Sequence, residues 1–269
     1  MQIYNKQSMT MSNFDKKNIW IIGASTGIGA ALAKRLSDNG ATVILSARSE
    51  DKLNQLSQEI QGKSHVVPLD VTNHEDFLTA AQKIKKDLGH IDSSILMAGM
   101  YDPTLVSNID NKTARKIIDV NLMGAFNFID AVLPIVKYQK YGQIILTGSV
   151  AGYRGLPKGQ PYSSTKAAII NLAESLRTEE KDVDVRVINP GFVETPMTDK
   201  NDFEMPMVIA PDEAAKAIHK GMISNSFEIH FPKKFTFIMK TLRIMPNALY
   251  LLIGRKMMSG IEKRQKNTG

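Results

Sequence analysis

The chain has 269 residues, 43% apolar and 23% charged, with 18 Gly and 11 Pro, proportions that exclude collagen-like, disulfide-scaffold and globally disordered classes. At this length one large α/β domain buries a substantial core, and no linker or repeat argues for a second. Cysteine is absent, which excludes disulfides, thiolate metal sites and Cys nucleophiles and fits a reducing, cytoplasmic setting.

The formal charge of +7 is uneven: positions 231–269 hold nine Lys or Arg and one acid, Glu262, so this stretch carries +8 and the remainder -1. The body therefore lacks the broad basic character of a nucleic-acid binder. His65, His74, His90, His219 and His230 have no metal-ligand spacing, and no metal is expected. The stretch up to Lys17 is polar and lacks the pattern of a secretory signal. Methionines at 1, 9 and 11 leave the start codon open.

In chain order, β-branched runs at 19–22, 42–45, 65–69, 94–97, 143–147, 183–188 and 227–231 alternate with helical patterns at 28–39, 50–61, 74–88, 111–137, 161–180 and 211–224. The alternation predicts an α/β fold, a doubly wound, mostly parallel sheet flanked by helices. It places the α/β body at 17–231, a flexible N-terminal segment at 1–16, and a basic amphipathic extension at 232–269. In such sheets ligands bind beyond the carboxyl ends of the strands. The first run leads into Gly23, Ala24, Ser25, Thr26, Gly27, Ile28 and Gly29, a glycine turn at a helix start that suits a pyrophosphate.

The second run ends Ser46-Ala47-Arg48. The acid that would bond a ribose 2′-hydroxyl is missing, and Arg48 can pair with a 2′-phosphate, which favours NADP over NAD. Further on, Tyr162 and Lys166 lie four apart in a helical pattern, with Ser149 upstream after the 143–147 run. That spacing puts a phenol and an ammonium on one helix face. A cation beside a phenol, whose ordinary pKa is ~10, favours the phenolate and makes acid–base work feasible.

Together these motifs resemble the short-chain dehydrogenase/reductase family over nearly all of 17–231. The resemblance implies a Rossmann-type seven-stranded sheet, NAD(P)-dependent interconversion of a carbonyl and an alcohol, and a homo-oligomer. It maps the family's catalytic set onto Asn121, Ser149, Tyr162 and Lys166, and its adenine contacts onto Asp70 and Val71. Ala98 and Gly99 are similar to the end of its Asn-Ala-Gly motif, and Pro190, Gly191, Val193 and Thr195 to its nicotinamide-side loop. Implied roles follow: Ser149 holds the substrate oxygen, Tyr162 transfers a proton to it, Lys166 lowers the Tyr162 pKa and holds the nicotinamide ribose, and Asn121 anchors a water. Two departures stand out, Ile22 for the family's Thr and Met97 for its Asn, readable as a joint apolar replacement of two polar partners that spares catalysis.

Residues 192–210 carry Phe192, Met197, Phe203, Met205 and Met207, which suit either a lid over an apolar substrate or packing against the body. The tail has an apolar stripe at 235, 238, 239, 242 and 245, then a second apolar stretch at 248–253. It is too short to span a bilayer. It fits an amphipathic segment at the inner face of a membrane, or one packed over the substrate pocket or a partner subunit. The reading is an NADP(H)-dependent oxidoreductase of an apolar carbonyl or secondary alcohol. Its rivals are a catalytically silent nucleotide sensor and a membrane-associated scaffold.

Overall fold

The computed structural model describes residues 11–201 and 203–268, the side chains of 261–268 excepted; Met1 and Met9, and the side chains of Lys263, Arg264 and Lys266, lie outside it. Seven strands form one parallel sheet: β1 (Asn18–Ile22), β2 (Thr42–Ser46), β3 (Ser64–Val66), β4 (Ser93–Leu96), β5 (Gln143–Thr147), β6 (Asp184–Pro190) and β7 (Glu228–Phe231). Their order is β3-β2-β1-β4-β5-β6-β7, so the winding reverses between β1 and β4. That reversal leaves a crevice at the strand ends. β3 is shorter than the 65–69 run predicts. The chain still follows β2 beyond it, Val67 N–H donating to Leu45 O at 3.0 Å and Leu69 N–H to Ala47 O at 3.2 Å, which delivers Asp70 to the crevice.

Both faces of the sheet are covered, which is why β1 and β5 are buried throughout and read as continuous apolar runs. Trp20, Ile22 and Ile144 pack on one face with Phe77 of α3 (His74–Leu88), Phe128 of α5 (Gly124–Gln139) and Ile169 of α6 (Tyr162–Glu179). Ile19, Ile21 and Ile145 pack on the other with α1 (Gly27–Asp38), α2 (Glu50–Glu59) and α7 (Pro211–Met222). The period-2 alternation of a strand decides which residue goes where.

It also separates the two departures from the family pattern. Ile22 belongs to the first cluster and Met97 packs against the second. They are therefore not partners across a shared interface, as their joint replacement suggests. Met97 is compensated independently, its sulfur accepting the Thr147 hydroxyl at 3.3 Å.

Three further expectations change. The helical pattern at 111–137 is two helices, α4 (Asn111–Ile118) and α5, joined by a π-turn over Asp119–Met123. Within the segment assigned as flexible, Phe14 is buried and its ring lies 4.5 Å from that of His219 on α7, so the packed body includes it. The tail forms α8 (Lys233–Ile244) and α9 (Asn247–Thr268). Phe235, Met239 and Leu242 of its predicted stripe face the core, while Ile238 is exposed.

Candidate active site

After β1 the chain turns at Gly23 (φ +95°), whose N–H donates to Ser46 O at 2.7 Å. A Cβ there would stand 2.5 Å from the Ala98 nitrogen, and one on Gly29 would stand 2.1 Å from Gly23 O, so the turn closes only with glycine at both. α1 starts with no side-chain cap among the described residues and no acid in its first turn. By contrast, Asn73 caps α3 and Asp110 caps α4. A helix start with open donors and a positive dipole end, facing a cleft, fits a pyrophosphate.

The cleft has a volume of about 510 Å³. Gly23, Ser25, Thr26, Gly27, Ile28, Gly29, Arg48, Asp70, Val71, Ala98, Gly99, Pro190, Gly191, Val193 and Thr195 all line it, as do Ser149, Tyr162 and Lys166. Asn121 alone of the predicted site residues stands behind the wall. The residues present therefore fit a dinucleotide laid from the end of β2 across the glycine turn to α6.

Tyr162 opens α6 and Lys166 follows one turn later on the same face. Ser149 and Tyr162 both line the cleft, and the Ser149 hydroxyl acts on the phenol by favouring its ionised form. Ser149 begins a short 3-10 turn, Val150–Gly152, and its Oγ accepts Ala151 N–H at 3.1 Å. Lys166 is 3% exposed, its Nζ donating to Thr147 O at 2.7 Å and lying 5.5 Å from the Tyr162 ring centroid. A Cβ on Gly99 would stand 3.5 Å from Asn121 Oδ1 and 3.6 Å from Lys166 Nζ, so these groups converge on the space a side chain would fill.

The π-turn turns Asn121 inward. Its Oδ1 accepts Met100 N–H at 2.7 Å, and its Nδ2 donates to Met100 O and Thr165 Oγ1, both at 3.0 Å. Both amide protons are thus committed to protein, and the side chain holds the loop after β4 against α6. This gives Asn121 a positioning role beside the expected one of water anchor.

Burial pushes the Tyr162 phenol up to about 12, opposed by the Ser149 hydroxyl, and brings the Lys166 amine down to about 8. The expectation that Lys166 pulls the phenol below its ordinary value is therefore corrected. Both groups sit where charge is poorly solvated, and the amine proton is aimed at the Thr147 carbonyl. The phenol is a neutral hydroxyl at physiological pH, ready to donate; a cation beside it matters most as its proton leaves.

A family model described as short chain dehydrogenase matches residues 17–205. The chain belongs to the short-chain dehydrogenase/reductase family. An uncharacterised oxidoreductase of Myxococcus xanthus is 31% identical over 252 residues, 92% of this chain and 100% of its own. Another from Listeria monocytogenes is 37% identical over 204 residues, 71% of this chain and 81% of its own. An alcohol dehydrogenase of Thermococcus sibiricus, solved with 5-hydroxy-NADP, superposes with TM-score 0.73 at 28% identity, over 81% of this chain and 96% of its own. A short-chain dehydrogenase/reductase of Burkholderia phymatum, solved with NAD, shares the fold with TM-score 0.79 at 20% identity, over 86% and 94%. This dehydrogenase is thus an oxidoreductase on a Rossmann-type nucleotide-binding scaffold.

Several cleft residues of this dehydrogenase escape sequence reading. Lys52, four positions beyond Arg48, joins Arg48 and Ser49 at the β2 end, and Asp70 is the only acid lining the cleft among the described residues. At the other end Met100, Tyr101, Met197 and Lys200 complete the wall. The Tyr101 ring meets the Tyr162 ring edge-on at 5.0 Å, and its hydroxyl donates to Asn201 Oδ1 at 2.8 Å, pinning the 192–210 loop across the cleft. The residues of that loop divide between the cleft and the body. Met197 faces the cleft, whereas Phe192 packs against Phe203 at 5.8 Å and Phe235 at 5.4 Å.

The C-terminal extension grips the segment between Ser149 and Tyr162. Arg154 donates to Leu242 O at 3.0 Å, to Asn247 Oδ1 at 2.8 Å and to Met245 O, and stacks 4.7 Å from the Tyr250 ring centroid. The Tyr250 hydroxyl donates to Gly155 O at 2.6 Å. Beside this grip, Glu228 accepts Tyr153 and Asn189 and pairs with Lys240 of α8. Burial alone would raise the Glu228 carboxyl, but the bonds from Lys240, Tyr153 and Asn189 hold it below its ordinary range. Arg154→Ala is expected to cost about 1–3 kcal/mol of stability, because it leaves half-buried carbonyls unpaired and removes a stacked cation. Urea denaturation and limited proteolysis of the extension check this. An unchanged midpoint would show that α8 and α9 stay docked without the arginine.

Proposed function

We propose that the protein is an NADP(H)-dependent oxidoreductase that interconverts a carbonyl and a secondary alcohol on a predominantly apolar substrate. The observation that carries this reading is the gathering of Ser149, Tyr162 and Lys166, the amine 5.5 Å from the phenol ring centroid, in the same cleft as the glycine turn. The cofactor supplies hydride transfer when bound. Ser149 Oγ holds the substrate oxygen, and the Tyr162 hydroxyl gives that oxygen its proton. Lys166, held by Thr147 O, stabilises the phenolate this leaves. Asn121 keeps Met100 and the loop after β4 in place. Met100, Tyr101, Val193 and Met197 surround this end with apolar surface, which supports an apolar substrate.

Preference for the 2′-phosphate rests on Arg48 and Lys52, which line the cleft with Ser49, whereas Glu50 and Asp51 between them open α2 outside its lining. Charge-assisted contacts of this kind contribute about 1.5–3 kcal/mol each. Replacing Arg48 and Lys52 together with Ala is therefore expected to weaken NADPH binding by about a hundredfold to ten-thousandfold while barely changing NADH. Fluorescence titration with both coenzymes, followed by ketones of graded chain length, tests the reading. Equal loss for both coenzymes would overturn the NADP preference, and no turnover of any ketone by protein that binds NADPH would favour the silent sensor.

A further inference from the structure

The apolar stripe that sequence alone singles out in α8 is largely spent on the core, yet the extension presents a second apolar surface. Phe237 is 59% exposed, Ile238 51% and Ile244 83%; Leu249, Leu251 and Leu252 on α9 are 49%, 57% and 62% exposed. Large apolar side chains concentrated this way on one short segment mark a contact surface, whereas single ones are ordinary. Its electrostatics are one-signed: 232–261 contains Lys233, Lys234, Lys240, Arg243, Arg255 and Lys256 and no acid. Lys240 and Arg243 are engaged by Glu228 and Glu174. Lys233, Lys234, Arg255 and Lys256 have no ion-pair partner among the described residues, so four cations flank the apolar side chains unneutralised.

A protein partner would have to bring a matching run of acids and an apolar groove together. An anionic bilayer provides both in one surface, acyl chains below and phosphates above. Depth is limited to the interface. Residues 111–139 have the length and apolarity to cross a membrane, but they bury Phe128, Val132 and Val136 in the core and are not available for it. We infer that the α8–α9 extension is a docking surface for an anionic lipid bilayer, lying in its interface with Phe237, Ile244, Leu251 and Leu252 inserted and Lys233, Lys234, Arg255 and Lys256 at the phosphates. The surface is built into the catalytic body through Arg154 and Tyr250, so docking holds the cleft next to the lipid.

Co-flotation of the full chain with phosphatidylcholine vesicles, with and without phosphatidylglycerol, tests this inference independently of any enzyme activity. Binding to the phosphatidylglycerol vesicles alone, and its weakening by high salt, is the expected result. Exchanging Lys233, Lys234, Arg255 and Lys256 for Gln should weaken partitioning roughly fivefold per charge removed. Exchanging Ile244, Leu251 and Leu252 for Ser should abolish flotation with thermal unfolding unchanged. Absence of binding to anionic vesicles, equal binding to both vesicle types, or a dimer in solution that the Ser variant dissociates would overturn it.

Discussion

Tyr162→Phe is expected to lower kcat for carbonyl reduction by about two to four orders of magnitude, the range lost when a positioned proton donor is removed. NADPH binding is expected to survive. The substitution deletes one oxygen and keeps the ring that meets Tyr101 edge-on at 5.0 Å, so the cleft wall between α6 and the loop after β4 is preserved. Stability should not fall either, because burial keeps this phenol neutral and Ser149 beside it retains Ala151 N–H. Since the phenol stays protonated to about pH 12, wild-type reduction should show no ionisation of the donor itself across the physiological range. Steady-state kinetics together with NADPH titration of the variant separate the two quantities. Turnover within tenfold of wild type would remove Tyr162 as the donor, and loss of NADPH binding would mean that the hydroxyl holds the coenzyme as well as, or instead of, donating the proton.

How much of this was legible beforehand depended on the range of the interaction involved. Strand positions were readable to within three residues: β1 and β5, buried throughout, print as apolar runs, whereas the end of β3, where His65 is exposed, was placed three residues too far. The glycine turn was readable because the close approaches of Gly23 to Ala98 and of Gly29 to Gly23 O permit no other residue. The π-turn at Asn121 was not, since the helical periodicity runs through it and its cause is the bond to Met100, distant in sequence. The inward face of α8 was legible only in part, Phe235, Met239 and Leu242 of the stripe packing inward and Ile238 being left exposed. The apolar stripe was found, but only the body decides that Phe235 packs by Gly191 and Phe192 while Phe237 is left outside. Arg154 carries no sequence motif, and its role arises from carbonyls some ninety positions away. Ionisation was least legible of all. A Tyr and a Lys at helical spacing suggest a lowered phenol pKa, but burial, which no spacing encodes, reverses the direction at Tyr162 and lowers Lys166 instead.

That last reversal carries the second large prediction. Lys166→Met removes the amine but keeps a flexible chain of similar length, and kcat is expected to fall by roughly a hundredfold or more, as for loss of a preorganised charge at a developing anion. Its effect on the fold should run the other way. The folded pKa of about 8 lies below the ordinary value of 10.5, so between these two values the unfolded chain binds more protons and stability rises with pH. Below about pH 8 the full penalty for burying the ammonium is present, on the order of 3 kcal/mol. The bond to Thr147 O, worth about 1–2 kcal/mol, offsets part of what Met regains. The Met variant should therefore melt no lower than wild type at pH 7, and its advantage should disappear as the pH approaches 10.5. Catalysis offers a parallel reading. Wild-type reduction should decline as the pH rises through about 8 and Lys166 loses its charge, whereas the weak residual rate of the variant should be flat there. Melting curves and rate profiles across pH 6–11 distinguish the cases. A variant that melts well below wild type at pH 7, or retains a wild-type pH profile, would mean that the amine is held as a structural tie to Thr147 and not as the charge that stabilises the Tyr162 phenolate.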